Sequence, residues 1–282
     1  MTTRVEPAVR ADLTDVVEEH KDCRWAWGAL ERWDTKGLSA QSRAARRGQR
    51  RTFLAGLRRS GLILDTIDRV AEVGVAAALA HRGWDHQWPR VPEAGQFKGR
   101  WPGALEQPGE YRASVPFVLS EALARRVHAA CWHTSAPAIK ALWEWNTEAA
   151  IVRRREENID SAVEYQRLIA EVTTVGDIGR AGLELGIDQA RSALGHAWVL
   201  VAAEQFHERE GHLRVPRGHV EEVLSSRAPK GIRCVRLFTC IRDWRDEFHA
   251  GTLDSHVRNH LDRLALDWES GRKGRTAPAS RS

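Results

Sequence analysis

Two apolar stripes with the same spacing constrain the last third of this chain more than any other feature. The first stripe consists of Leu237, Ile241, Trp244 and Phe248, and the second of Val257, Leu261, Leu264 and Trp268. Intervals of four, three and four place all members of a stripe on one side of an α-helix. Neither helix can bury its stripe alone. We therefore expect the two to pack on each other and on a third helix, between Trp198 and Phe206, as a three-helix bundle.

Helix ends are also marked in the sequence. Gly251 follows the first stripe, where a residue with positive φ is favoured. Asp254 precedes the second, where its side chain can accept hydrogen bonds from free backbone amides. Upstream, Ser120 and Ser135 are predicted helix N-caps, the first supported by the carboxylate of Glu121 in the opening turn.

Strand signals are weak along the whole chain, because alternation with period two is never sustained. The predicted fold class is all-α, built from small helical bundles. The predicted organisation is a flexible N-terminus over residues 1–20, a helical region with a basic helix over 21–88, a connection rich in proline and glycine over 89–117, a second helical region over 118–195, the three-helix domain over 196–270 and a disordered tail over 271–282.

Composition narrows the classes of protein to consider. No apolar run is long enough to cross a bilayer, and residues 1–20 lack the layout of a signal peptide, so we expect a cytoplasmic protein without membrane contact. The four cysteines are scattered, which predicts buried free thiols rather than a zinc site. Most of the twelve tryptophans are expected in the core, among them Trp25, Trp33, Trp143 and Trp145; for Trp84, Trp88 and Trp101 exposure is more plausible.

The C-terminal block resembles the helicase-associated domain, a small three-helix module found behind helicase cores and sometimes in arrays without them. The features that carry the resemblance are, in order, Trp198, Gly211-His212, Val215-Pro216, Arg245, Gly251-Thr252-Leu253 and the segment Leu264-Ala265-Leu266-Asp267-Trp268. They cover about 75 of the 282 residues. The chain departs from the pattern at Cys240, where an aromatic residue is usual, and in a longer, more basic loop between Glu222 and Leu237.

Two alternatives stay open upstream. Residues 143–188 either form a degenerate second copy of the module or consist of ordinary helices. Residues 174–194 have the length of a helix-turn-helix, although Gly176, Gly179, Gly182 and Gly186 argue against a firm recognition helix.

Positive charge is concentrated in two stretches. Residues 36–59 contain eight basic residues and no acidic one, and residues 214–245 contain eight basic and three acidic ones. Charge of this kind binds nucleic-acid phosphates without reading sequence. The alternative for the first stretch is a solvated helix face neutralised by neighbouring helices. The candidate nucleic-acid-binding residues are Arg43, Arg46, Arg47, Arg50, Arg51, Arg58, Arg214, Arg217, Lys230, Arg233, Arg236, Arg242 and Arg245.

Catalytic motifs are missing from the sequence. There is no phosphate-binding loop of the Gly-x-x-x-x-Gly-Lys-[Ser/Thr] type and no Gly-x-Ser-x-Gly elbow. His207 and His212 are five residues apart, which turns them about 140° from each other on a helix, so they cannot share a metal. We therefore expect no enzymatic activity, no cofactor and no small-molecule substrate.

The favoured hypothesis is a non-catalytic accessory protein that binds nucleic acid, duplex DNA in the first place, with low sequence preference. The alternative is a protein–protein interaction scaffold that docks on a larger machine such as a helicase, a nuclease or a mobile-element assembly.

Overall fold

The computed structural model describes residues 1–91, 111–229 and 233–269, and most of these residues lie in helices. Over these residues the predicted all-α class is confirmed. The elements are β1 (Thr2–Val5), α1 (Pro7–Gly28), a 3-10 helix (Glu31–Trp33), α2 (Ala40–Arg59), α3 (Ile67–His81), β2 (Ala113–Pro116), α4 (Glu121–Trp143), α5 (Glu148–Glu156), α6 (Ser161–Glu171), α7 (Val175–Glu210), β3 (Glu221–Glu222), β4 (Cys234–Val235), α8 (Leu237–Ala250) and α9 (Ser255–Arg263).

The chain divides into two compact units, and each unit combines two separate segments. Unit 1 consists of Met1–Val17 and Thr66–Ala190, and unit 2 of Glu18–Asp65 and Arg191–Ser282. The boundaries after Val17 and Ala190 lie inside α1 and α7. The sequence predicts consecutive domains, with the C-terminal module beginning at residue 196. The structure instead builds each unit from two segments that are separate in the sequence.

The N-terminus corrects one prediction. Residues 1–20 were expected to be flexible, whereas they form β1 and the first half of α1. β1 pairs antiparallel with β2, with Thr3 opposite Val115 and Val5 opposite Ala113. β2 lies in the segment predicted to be an irregular connection, of which residues 92–110 are outside the described residues. A pairing between strands about 110 residues apart leaves no local signal in either of them.

Helices α3 and α7 cross closely in unit 1, at three glycines. A Cβ atom on Gly74 would overlap with backbone atoms of Gly182 and Gly186, and one on Gly186 would meet the carbonyl oxygen of Val70. Only glycine lets two helix backbones approach this closely. The glycines that weakened the helix prediction over 174–194 therefore serve tertiary packing.

Helix α4 confirms one predicted cap and corrects another. The side chain of Ser120 accepts a hydrogen bond from the amide of Leu123 at 3.4 Å, as an N-cap does. Ser135 lies inside α4 instead of at a helix start, and its buried hydroxyl accepts a hydrogen bond from the amide of Thr173 at 2.9 Å. Pro137 lies two residues further along the same helix.

Helix α7 is continuous over 36 residues, from Val175 to Glu210. A helix-turn-helix over residues 174–194 is therefore excluded, because no turn interrupts α7. The helix predicted between Trp198 and Phe206 is the last part of the same element.

The core of unit 2 joins the three predicted helices to the segment 18–65. Trp198 on α7, Trp244 on α8 and Leu261 on α9 are buried in one cluster with Trp27 on α1 and Leu57 on α2. The three helices and their packing are as predicted, but they share their core with α1 and α2 instead of closing on themselves.

Both predicted caps in this part of the chain are confirmed. Gly251 has a φ of 72° after α8, and Asp254 accepts hydrogen bonds from the amides of His256 and Val257 before α9. Helix α9 ends at Arg263, so Leu264 and Trp268 of the second stripe pack beyond the helix.

Within the part of the chain that the structure covers, none of the helices combines the length and the apolar character that crossing a membrane requires.

Candidate nucleic-acid interface

The basic stripe predicted on α2 splits into two rows, of which one turns towards the core of unit 2. Arg46, Arg50 and Arg58 are half-buried. Arg58 donates to both carboxylate oxygens of buried Asp65, at 3.0 and 2.5 Å. Arg46 donates to the carbonyl oxygen of Asp34 at 2.6 Å. Arg46 and Arg58 are therefore engaged in contacts within unit 2.

The second row on α2 is exposed. Arg43, Arg47 and Arg51 follow each other at intervals of four residues, so they lie along one face of the helix. Arg43 donates to the carbonyl oxygen of Leu38 at 3.0 Å, at the start of the helix. Within the described ranges, no ion pair with an acidic side chain is recorded for these three arginines. They form the part of the predicted stripe that is open to a ligand.

The second predicted segment is also divided. Arg245 is half-buried and donates to the carbonyl oxygen of Asp267 at 2.9 Å, and burial lowers the pKa of its guanidinium. Arg242 is exposed but pairs with its neighbour Asp243 at 2.8 Å. Arg233 donates to a backbone carbonyl. The predicted residues Arg214, Arg217 and Arg236 are exposed, and within the described ranges their guanidinium groups make no ion pair or hydrogen bond of this kind. Lys230 lies outside the described residues.

The two units differ in net charge. Unit 2 contains 27 basic and 18 acidic residues, a net charge of +9, whereas unit 1 contains 16 basic and 20 acidic residues, a net charge of −4. Both predicted basic segments belong to unit 2. The modest net charge of the chain is therefore the sum of a basic unit 2 and an acidic unit 1, although residues 198–270 alone contain 11 basic and 12 acidic residues.

Glu221, one of the three acidic residues in the basic segment 214–245, forms ion pairs inside unit 2. Buried Glu221 pairs with Arg209 through two bonds of 2.9 Å and with His219 at 2.7 Å. Burial raises the pKa of this carboxyl group, but its contacts with Arg209 and His219 outweigh burial, and the pKa is lowered. Arg209 also pairs with Glu210 at 2.8 Å, so the contacts of Glu221 reduce its repulsion of an anionic ligand without removing it.

A buried polar network in unit 2 has no counterpart in the sequence predictions. Its centre is Glu204 on α7, which is 1% exposed. Its carboxylate lies 2.6 Å from a guanidinium nitrogen of Arg32 and 2.9 Å from Nε2 of His260. The guanidinium of Arg32 also lies over the ring of Phe53, 4.6 Å from its centroid. Burial raises the pKa of Glu204, but its contacts with His260 and Arg32 outweigh burial, and the pKa is lowered.

His260 is held neutral by its surroundings. Nδ1 accepts a hydrogen bond from Arg263 at 2.6 Å, which places the proton of the neutral ring on Nε2, 2.9 Å from Glu204 but without hydrogen-bond geometry. Burial lowers the pKa of His260, and Glu204 offsets only part of this effect. Nearby Glu208, 3.3 Å from Arg32, has a pKa raised by burial. A glutamate in the middle of an apolar helix was the available signal for this network in the sequence.

The network makes stability depend on pH in a defined direction. The lowered pKa of His260 gives a contribution that is complete above about pH 6.5 and is lost as the pH falls through the folded-state pKa. Glu204 acts in the same direction below its ordinary pKa, whereas the raised pKa of Glu208 acts in the opposite direction.

We expect the variant His260→Gln to lose less of its free energy of unfolding between pH 7 and pH 5 than the wild type does, because the titrating ring is removed. Urea unfolding at the two pH values measures the difference. His256→Gln, at an exposed position of α9, is the control and should behave like the wild type. An equal decline in all three proteins would contradict this assignment.

The tryptophans correct a further prediction. Trp25 and Trp143, both expected in the core, are 53% and 58% exposed. Trp84 and Trp88 are half-buried, and Trp101 lies outside the described residues. The cysteines are likewise divided, with Cys23 and Cys131 buried as predicted but Cys234 exposed.

Unit 1 contains a cavity of about 1150 Å³ next to the start of α4. Its lining includes Trp88, Arg90, Arg125, Arg126 and His128. Positive charge therefore also collects at one place in the acidic unit, although Arg125 pairs with Glu121. Among the residues that the structure describes, no three His, Cys, Asp or Glu side chains are grouped in a way that could hold a metal ion.

Comparison with known proteins identifies no relative. No family model, no curated protein and no solved structure matches this chain. The resemblance to the helicase-associated domain therefore stays a prediction.

Proposed function

We propose that this chain is a cytoplasmic, non-catalytic accessory protein whose unit 2 binds nucleic acid, in the first place duplex DNA, through phosphates and with low sequence preference. The observation that carries the proposal is the net charge of unit 2, which is +9 over its whole sequence and +4 over its described residues, beside −4 and −3 for unit 1. Segregation of charge onto one unit provides the long-range attraction that brings a polyanion to it.

The set of proposed contacting residues is smaller than the set predicted from the sequence. The exposed row Arg43, Arg47 and Arg51 on α2 and the exposed residues Arg214, Arg217 and Arg236 have side chains that can reach phosphates. Arg46, Arg58 and Arg245 are proposed to have structural roles instead, because they are half-buried and their guanidinium groups bond to groups within unit 2. Arg43 also bonds to a backbone carbonyl, but its side chain is exposed. Phosphate contacts of this kind position a ligand and carry no sequence information.

The test is binding of a short mixed-sequence DNA duplex over a range of salt concentrations. We expect log affinity to fall linearly with log salt concentration, since cationic side chains release counterions from the duplex. The triple variant Arg43→Ala, Arg47→Ala, Arg51→Ala should bind every sequence more weakly, and its salt slope should be smaller by about 2 to 3.

The matched control removes three arginines from the cavity of unit 1, as Arg90→Ala, Arg125→Ala, Arg126→Ala. This variant loses the same charge and should keep nearly all of the wild-type salt slope. If both variants were weakened equally, general attraction to the chain would replace the proposed interface. Absence of binding to DNA and RNA at low salt would reject nucleic-acid binding altogether.

A role as an interaction scaffold is the second candidate, and exposed apolar side chains in unit 1 favour it. Trp143 at the end of α4, Val152 on α5 and Val163 on α6 are all exposed. Docking on a larger machine would cover such side chains. This candidate would take first place if the binding experiment found no affinity for any nucleic acid.

A further inference from the structure

Trp25 is much more exposed than the apolar residues next to it on α1. Its neighbours Cys23, Ala26 and Trp27 are buried in the core of unit 2, whereas Trp25 is 53% exposed. The helix thus turns a large aromatic ring outwards at the unit that carries the positive charge. Burial would stabilise such a side chain, so its exposure needs a reason.

One face of the Trp25 ring is already occupied by a positive charge. The guanidinium carbon of Arg227 lies 4.8 Å from the ring centroid, and Asp22 holds the same guanidinium at 2.9 Å. Arg227 is thereby fixed over the ring, and the exposed part of the ring remains available. A planar group that stacked on it would lie beside a guanidinium, in the arrangement that nucleic-acid bases favour.

The loop that carries Arg227 is basic. The described residues of the 214–236 loop include five basic and two acidic residues, and one of the two acids is Glu221, which pairs with Arg209. The same loop exposes Leu224, at 80%, three residues before Arg227. An aromatic ring next to a positively charged strip is the combination with which proteins bind unpaired nucleotides.

We propose that Trp25 stacks on an unpaired base, so that unit 2 prefers nucleic acid with a single-stranded segment over a fully paired duplex. This inference rests on the proposed nucleic-acid binding and changes its preferred substrate from a fully paired duplex to DNA with an unpaired base. Phosphates next to the stacked base would lie along the exposed arginines of the 214–236 loop. A fully paired duplex offers phosphates but no accessible base face, so it would use only part of the site.

The test is binding of three DNA probes, namely a blunt duplex, a duplex with an overhang and a single strand. All three probes have the same number of phosphates. We expect the wild type to bind the overhang and the single strand more tightly than the blunt duplex. Trp25→Ala should bind these two probes roughly tenfold more weakly and the blunt duplex with unchanged affinity. Trp25→Phe should keep most of the preference, because it retains an aromatic face.

Salt dependence separates stacking from phosphate contacts. Trp25→Ala should keep the wild-type salt slope for the single strand, since stacking releases no counterions. Trp143→Ala, which removes an equally exposed tryptophan from unit 1, should bind all three probes like the wild type. Circular dichroism of both variants checks that they are folded.

The outcomes distinguish the two proposals. If the wild type binds no probe, nucleic-acid binding itself fails, and a protein partner becomes the occupant to seek for Trp25. If the wild type binds all three probes equally, or if Trp25→Ala weakens all of them by the same factor, only the stacking proposal is overturned.

Discussion

Replacing Glu204 by alanine is expected to lower the free energy of unfolding of unit 2 by about 3 kcal/mol, the lower end for a broken buried pair, because Arg32 is partly exposed and keeps Glu208 as a second partner. The carboxylate is 1% exposed and faces Arg32 and His260 at 2.6 and 2.9 Å. Its removal leaves the guanidinium of Arg32 partly buried without its closest counter-ion, and a cavity in place of the side chain. Loss of one partner from a buried pair costs far more than the pair itself contributes.

Urea unfolding monitored by circular dichroism measures this effect. Glu210→Ala is the matched control on the same helix, where the side chain is exposed and pairs only with exposed Arg209. An exposed pair of this kind contributes about 0–1 kcal/mol, so the control should unfold at nearly the wild-type urea concentration. A similar small loss for Glu204→Ala would mean that the network is not important for stability.

Replacing Gly74 by alanine should destabilise unit 1 by about 3 kcal/mol, at the upper end of the range for overpacked interiors. The added Cβ would overlap with the carbonyl oxygen of Gly182 and with the backbone of Gly186. Backbone atoms of a helix cannot move aside as the end of a flexible side chain can. Helices α3 and α7 would therefore have to separate.

Gly195→Ala is the control for this variant. Gly195 lies on α7, is exposed, and a Cβ there would meet nothing within 4 Å. Because alanine has the higher helix propensity, we expect a stabilisation of about 0.5–1 kcal/mol. Thermal unfolding of the two variants measures both effects. If Gly74→Ala were as stable as the wild type, the close helix crossing in unit 1 would be wrong.

The candidate interface illustrates where sequence reasoning succeeds and where it stops. Charge density identified both basic segments, and both belong to unit 2. It could not separate Arg47 from Arg46 or Arg58, because which side of α2 faces the core depends on residues far away in the chain. The exposure of Trp25 did have a local signal, because Lys21 and Asp22, one helical turn before it, place it on the polar side of α1.

Local sequence patterns were sufficient to predict the helices of the C-terminal region and their ends. Apolar spacing placed α8 and α9, and Gly251 and Asp254 marked the turn between them, because caps and amphipathic faces depend on residues within a few positions of each other. The all-α class follows from the same local signals.

The way in which these helices combine depends on long-range contacts, which the tertiary structure shows. It joined the C-terminal helices to α1 and α2 in one core, paired β1 with β2, and brought Arg32 to Glu204 across more than 170 positions of the chain. It also placed the exposed row of α2 and the basic loop in the same unit. The physical reason is that burial, close glycine contacts and buried ion pairs depend on partners distant in sequence, which local patterns do not specify.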